Sequence, residues 1–258
     1  YPKSPQPVDQ IPWGHISYII QSVTDESGRQ WYVQQTVQNG WSRAVLQMQI
    51  DSDLYARQGD ASKKVTNYEQ RLPAVQSGLA NDLIKDPYNF DFLTVHDQAQ
   101  ERDIEEGLIA HMRKFLLELG KGFAFVGSQV PLTFDDQEFF IDLLFYHLHL
   151  RCYVVIELKA TKFKPEHTGQ LSFYLAAVDG QMKKDIDNPT IGILLCQSKN
   201  KVVAEYALKN IQAPIGVSDY KLAKALPKEL IGDFPTIEEI ETELTETAKA
   251  TMVDAVKK

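Results

Sequence analysis

Residues 151–163, "RCYVVIELKATKF", decide the fold. Tyr153, Val154, Val155 and Ile156 form the unbroken apolar run of a β-strand buried on both faces. Glu157 and Lys159 then follow around Leu158, and the strand is expected to run from Arg151 to Leu158 and close on this pair. Side chains alternate across a strand, so the two ionisable groups share one face, roughly 6.5–7 Å apart, and Leu158 takes the other. Charge carried into an apolar layer needs a partner. For the carboxylate, a metal ion is a natural one.

Upstream, "QEFFIDLLFYHLHL" supplies a strand over Glu138–Leu150, joined by a "DDQ" turn to an earlier strand over Phe123–Thr133. Asp142 is the single acid between Phe139 and Tyr146. Neighbouring strands lie under about 5 Å apart, so Asp142 can meet Glu157 across the sheet. Two such carboxylates repel unless a divalent cation lies between them. Mg²⁺, with Mn²⁺ as a substitute, would take the carboxylates of Asp142 and Glu157, the main-chain carbonyl of Leu158 and several waters.

Further outward, Ile104, Leu108, Phe115 and Leu119 fall on a helical period within one expected helix, Glu101–Leu119, stopped by Gly120. Pro165 opens the helix "PEHTGQLSFYLAAVD", "TIGILLCQS" reads as a strand, "VVAEYALKN" as a short helix and "IGVSDYKL" as a last strand. Strands and helices in this order give an α/β fold, a mixed sheet flanked by helices.

A helical region precedes it, with expected helices over Trp13–Val23, Gln30–Gln38 and Arg43–Arg57. Asn39-Gly40 stops the second and Ser42 caps the third, which permits a helix-turn-helix or a plain helical hairpin. Residues 67–85 read as a polar connector, and Asp86-Pro87 opens the next unit. The expected organisation is a helical N-terminal region over 1–84, an α/β domain over 85–226 and an acidic helical tail over 227–258. The Pro-rich start without Met suggests a piece of a longer protein.

The chain has 43% hydrophobic and 24% charged residues, as soluble globular proteins do. It has no apolar run of membrane-spanning length and no basic-then-apolar start, so no membrane partner and a cytoplasmic location are expected. Cys152 and Cys196 lie in apolar runs without metal spacing and read as reduced core residues. A net charge of −8 argues mildly against nucleic acid, but the acidic last stretch leaves room for a basic face elsewhere.

The spacing of Asp142, about fourteen residues, then Glu157-Leu158-Lys159, resembles the PD-(D/E)xK nucleases of restriction-endonuclease-like fold. It resembles most the bacterial YhcG-type family, through "ERDIEEGLIAHMRKFLLELGKGFAFVG", "FIDLLFYHLHLRCYVVIELKATKFKPEHTGQLSFYL", "NPTIGILLCQSKNKVVAEYAL", "IPWGH" and "NGWSRAVLQMQI". The resemblance implies metal-dependent endonuclease cleavage of phosphodiester bonds, in DNA before RNA. It implies that Asp142 and Glu157 bind metal, that Lys159 is the catalytic lysine, that Glu105 is the extra acid of the first helix, and that Gln170 orients water or a carboxylate. Ile141 stands where the motif's proline would be. Glu106 can substitute for Glu105, and Tyr174, a turn after Gln170, can contact substrate. His147 and His149 stay outside the site, while Lys162 and Lys164 can touch phosphate or simply face solvent. The alternative is a catalytically silent module of this fold for nucleic-acid or protein binding. A homodimer or protein partner could use the N-terminal helices or the tail.

Overall fold

The computed structural model describes residues 7–59, 63–93 and 99–223. The expected tail over 227–258 therefore lies outside the described residues. At the N-terminus α1 (Trp13–Ser22), α2 (Glu26–Asn39) and α3 (Arg43–Asp51) pack around Ile11, Ile19, Tyr32, Leu46 and Leu54. Helix α2 begins earlier than the apolar period suggests, because Asp25 caps it by accepting from the Gly28 amide at 2.6 Å. It ends at Gly40, whose φ of 63° closes the cap. Ser42 accepts from the Val45 amide at 3.3 Å to start α3.

The third helix stops short of Arg57, and a π-turn, Tyr55–Gly59, follows. Arg57 is buried and bonded to Glu118, to Ser52 and to the Pro87 carbonyl. That internal use takes its charge away from any phosphate and favours the plain hairpin over a DNA-reading helix pair.

Residues 67–85 are not a polar connector. Residues 65–83 form β1 (Val65–Thr66), α4 (Tyr68–Arg71) and α5 (Ala74–Leu83), and they pack on the sheet. Their polar character serves the backbone. The Asn67 amide donates to the carbonyls of Ile211 and Ala213 and its oxygen accepts from the Ile215 amide, while fully buried Tyr68 donates to the Gly192 carbonyl. Composition alone cannot distinguish polar groups that face water from polar groups that finish a sheet edge.

After β2 (Tyr88–Phe90), the single helix expected over 101–119 is two, α6 (Glu101–Ala110) and α7 (Met112–Leu119). His111 leaves helical geometry between them (φ −109°, ψ 32°), and its ring bonds the Gly107 carbonyl. Ile104, Leu108, Phe115 and Leu119 still reach one core, so burial governs the path across the break.

The sheet orders its strands β1-β7-β6-β5-β4-β3, with β2 parallel to β7. Strands β3 (Phe123–Phe134), β4 (Gln137–His147) and β5 (Cys152–Lys162) run antiparallel, whereas β5, β6 (Ile191–Ser198) and β7 (Ile215–Leu222) run parallel. Helices α8 (Glu166–Gln181) and α9 (Lys201–Leu208) make the parallel connections. One face packs on α6 and α7 through Phe145, Ile156 and Leu158, and the other on α8 through Val155, Leu171 and Leu194. This is the α/β mixed sheet flanked by helices, with a helical region before it. Two strand ends differ from expectation: β4 stops at His147, and β5 continues past Leu158 because pairing with β6 extends to Lys162↔Ser198. Glu157 and Lys159 therefore lie within the strand and not at its end. Among the described residues no helix is long and apolar enough to cross a membrane, and Cys152 and Cys196 are free and buried.

Candidate active site

The β4–β5 ladder runs from His147↔Cys152 to Leu143↔Ile156 and stops there. One step further the register places Asp142 opposite Glu157, and at that step the pattern changes. The Asp142 carboxylate accepts from the Leu158 amide at 2.9 Å, so a side chain replaces the next backbone partner. The N–H and C=O of one strand residue face the same neighbour, so the Leu158 carbonyl also faces the gap beside Asp142.

Glu157 and Lys159 share the α8 face, as their β6 partners Leu194 and Cys196 do. Glu157 is only 1% exposed and Lys159 8%. Lys159 Nζ donates to Glu157 Oε1 at 2.8 Å and lies 3.5 Å from Glu101 Oε2. Glu157 Oε2 is buried with no hydrogen-bond partner among the described residues. A buried carboxylate oxygen left this way is costly unless something else meets it.

Burial pushes the Glu157 carboxyl up to about 7, nearby Asp142 adds to this, and Lys159 opposes it. Burial likewise raises Asp142, against the Leu158 amide and Lys159. Burial alone would lower the Lys159 ammonium, but Glu157 outweighs it and holds the group above its ordinary value.

Glu105 is buried on α6 and raised by burial, with its Oε2 accepting from Gln129 Nε2 at 2.5 Å. The same amide reaches Asp142 Oδ1 at 3.5 Å, so Gln129 bridges the two acids. Glu106 is exposed and pairs with Arg102 at 2.9 Å, and both also line the cleft beside Asp142. Asp142, Glu105, Gln129 and Glu101 line a cleft of about 580 Å³, whose lining does not include Glu157 or Lys159. Gln170 is exposed and donates to Tyr174 Oη at 3.0 Å, and none of its described hydrogen bonds reaches Asp142, Glu157 or Lys159. Tyr174 is buried in the α8 layer; burial raises its hydroxyl, and Glu157 contributes.

His147 is a buried structural group that bonds the Lys121 carbonyl and accepts from the Leu150 amide, and burial pushes it down to about 4. Lys162 and Lys164 are exposed, the latter beside Glu166. Glu101 and Gln129 join these groups although the sequence does not single them out. Glu101 carried a signal, since it lies one helical turn before Glu105 on the same face. Gln129 carried none, because its reach depends on a strand backbone at φ 47°.

Among the described residues no three His, Cys, Asp or Glu side chains form a group able to hold a metal ion. Two carboxylates, one with an orphaned oxygen, beside a main-chain carbonyl still fit a hard cation that completes its shell with water.

A family model described as the YhcG PDDEXK nuclease domain matches residues 81–235, and one described as the DUF1016 N-terminal domain matches residues 1–57. The Escherichia coli (strain K12) protein named "Putative nuclease YhcG" is 37% identical over 234 residues, 89% of this chain. The chain spans 62% of that relative's length. Solved structures with distant likeness include an EndoMS–dsDNA complex (16% identical, TM-score 0.34, 54% of this chain and 49% of that one). A repair endonuclease from Pyrococcus abyssi is similarly distant (15% identical, TM-score 0.32, 52% and 50% covered).

Proposed function

Since the chain belongs to the family of YhcG PDDEXK nuclease domains, we propose that it is a metal-dependent endonuclease that hydrolyses phosphodiester bonds in DNA. The observation that carries this reading is the buried Glu157 carboxylate, with one oxygen on Lys159 and the other unpartnered, one register step from Asp142. Asp142, Glu157 and the Leu158 carbonyl would hold Mg²⁺, or Mn²⁺ in its place, which when bound supplies Lewis-acid stabilisation of charge on a phosphate.

The chain's own groups supply the rest. Lys159 is a cation beside Glu157 and Glu101, placed to offset charge on the phosphate and to hold an attacking water. Glu105 and Gln129 keep Asp142 oriented toward the cleft. Tyr174, steadied by Gln170, backs Glu157 from α8. The N-terminal helices within 1–84 present substrate or bind a partner, including a second copy. The two free buried thiols suit a reducing, cytoplasmic setting.

The test is incubation with plasmid, linear and single-stranded DNA, and with RNA, with and without Mg²⁺. Cleavage of DNA should need the cation and fall by at least about 100-fold in Lys159→Ala. Full cleavage by that variant would falsify the assignment. The near-complete burial of Glu157 favours a second reading, a module that kept the fold without turnover. Absence of any calorimetric signal with Mg²⁺ or Mn²⁺ would decide for it.

A further inference from the structure

We infer that Glu101 is a positioning residue that receives the Lys159 ammonium when a divalent cation takes Glu157, so that Lys159 is exchanged between two carboxylates. The inference rests on the cation site proposed above. Lys159 Nζ already lies between the two, 2.8 Å from Glu157 Oε1 and 3.5 Å from Glu101 Oε2. The partners differ in setting. The Glu157 side chain is 1% exposed and fixed in the strand, whereas the Glu101 side chain is 43% exposed at the first turn of α6.

A cation on the orphaned Glu157 Oε2 would stand a few ångströms from the ammonium and repel it. Lys159 cannot retreat into the apolar α8 layer without losing its partner. Glu101 offers a place to go. Its Oε1 accepts from the Ala160 amide at 3.4 Å, which anchors the carboxylate over the strand carrying Lys159 and leaves Oε2 toward the ammonium. Glu101 also lines the cleft with Asp142, so a lysine held there stays at the site instead of leaving it.

The geometry makes the Lys159–Glu157 pair a competitor of the cation and Glu101 the group that relieves the competition. Titration calorimetry of the full chain with Mn²⁺ tests this through a double-mutant cycle. Glu101→Gln should weaken Mn²⁺ binding roughly fivefold, because Lys159 then has only Glu157 to hold. Lys159→Met should tighten it by a similar factor. In the Lys159→Met background Glu101→Gln should change affinity by less than about twofold, and Glu101→Asp should restore most of the loss in the single variant. An equal loss from Glu101→Gln in both backgrounds would mean simple charge attraction and overturn the exchange. Failure of the underlying cation site looks different: wild type would then bind no Mn²⁺, or bind it undiminished in Asp142→Asn.

Discussion

Asp142 Oδ2 takes the Leu158 amide at 2.9 Å, and this one bond marks where the β4–β5 ladder ends. Had the ladder continued, the Leu158 N–H and C=O would both meet β4. The aspartate side chain takes the N–H in place of a β4 backbone carbonyl. The departure from regular pairing thus puts a carboxylate where the backbone ladder would have continued.

Asp142→Asn keeps an oxygen for the Leu158 amide and removes a buried charge whose protonation burial already favours. Without cation the variant should be as stable as wild type or about 1 kcal/mol more stable. Thermal melts with and without Mg²⁺ check this. Wild type should gain stability with the ion and the variant should not.

The Glu157 carboxyl, ordinarily at 4.5, is raised to about 7 by burial. The folded state therefore binds its proton more readily than the unfolded chain. That contribution to stability is present below about pH 4.5 and is lost as pH rises through about 7. Asp142 and Glu105, also raised, act in the same direction. In urea unfolding with chelator present, wild type should lose up to about 3 kcal/mol relative to Glu157→Gln between pH 4.5 and 7.5. A difference that grows with the opposite sign would contradict the burial argument. Cation binding should strengthen over the same interval as the proton leaves.

Asn67 completes three backbone groups near the start of β7, at Ile211, Ala213 and Ile215. Asn67→Ala should cost about 2–3 kcal/mol by leaving buried polar groups unpaired. Asn67→Asp keeps the acceptor for the Ile215 amide and loses the donors, so it should fall short of full rescue. Chemical denaturation of both variants measures the effect, and a loss below about 0.5 kcal/mol would return residues 65–83 to the role of a loose connector.

The amino-acid pattern alone carries the α/β class, because apolar runs of strand length alternating with helical periods allow few other layerings. It determined that Glu157 and Lys159 share a face, since alternation along a strand is local geometry, and it located the caps at Gly40 and Ser42, where backbone preference is written in one or two residues. The remaining features come from contacts between elements far apart in the chain. The continuation of β5 to Lys162 depends on β6, far along the chain. The kink at His111 and the use of Asn67 at the sheet edge depend on partners that periodicity does not record. That Glu101, Glu105, Gln129 and Asp142 meet at one cleft, which Glu106 also lines, follows from the approach of α6 to β3, β4 and β5. Local patterns fix which side of an element a residue occupies, whereas the meeting of two elements is set by burial over the whole core.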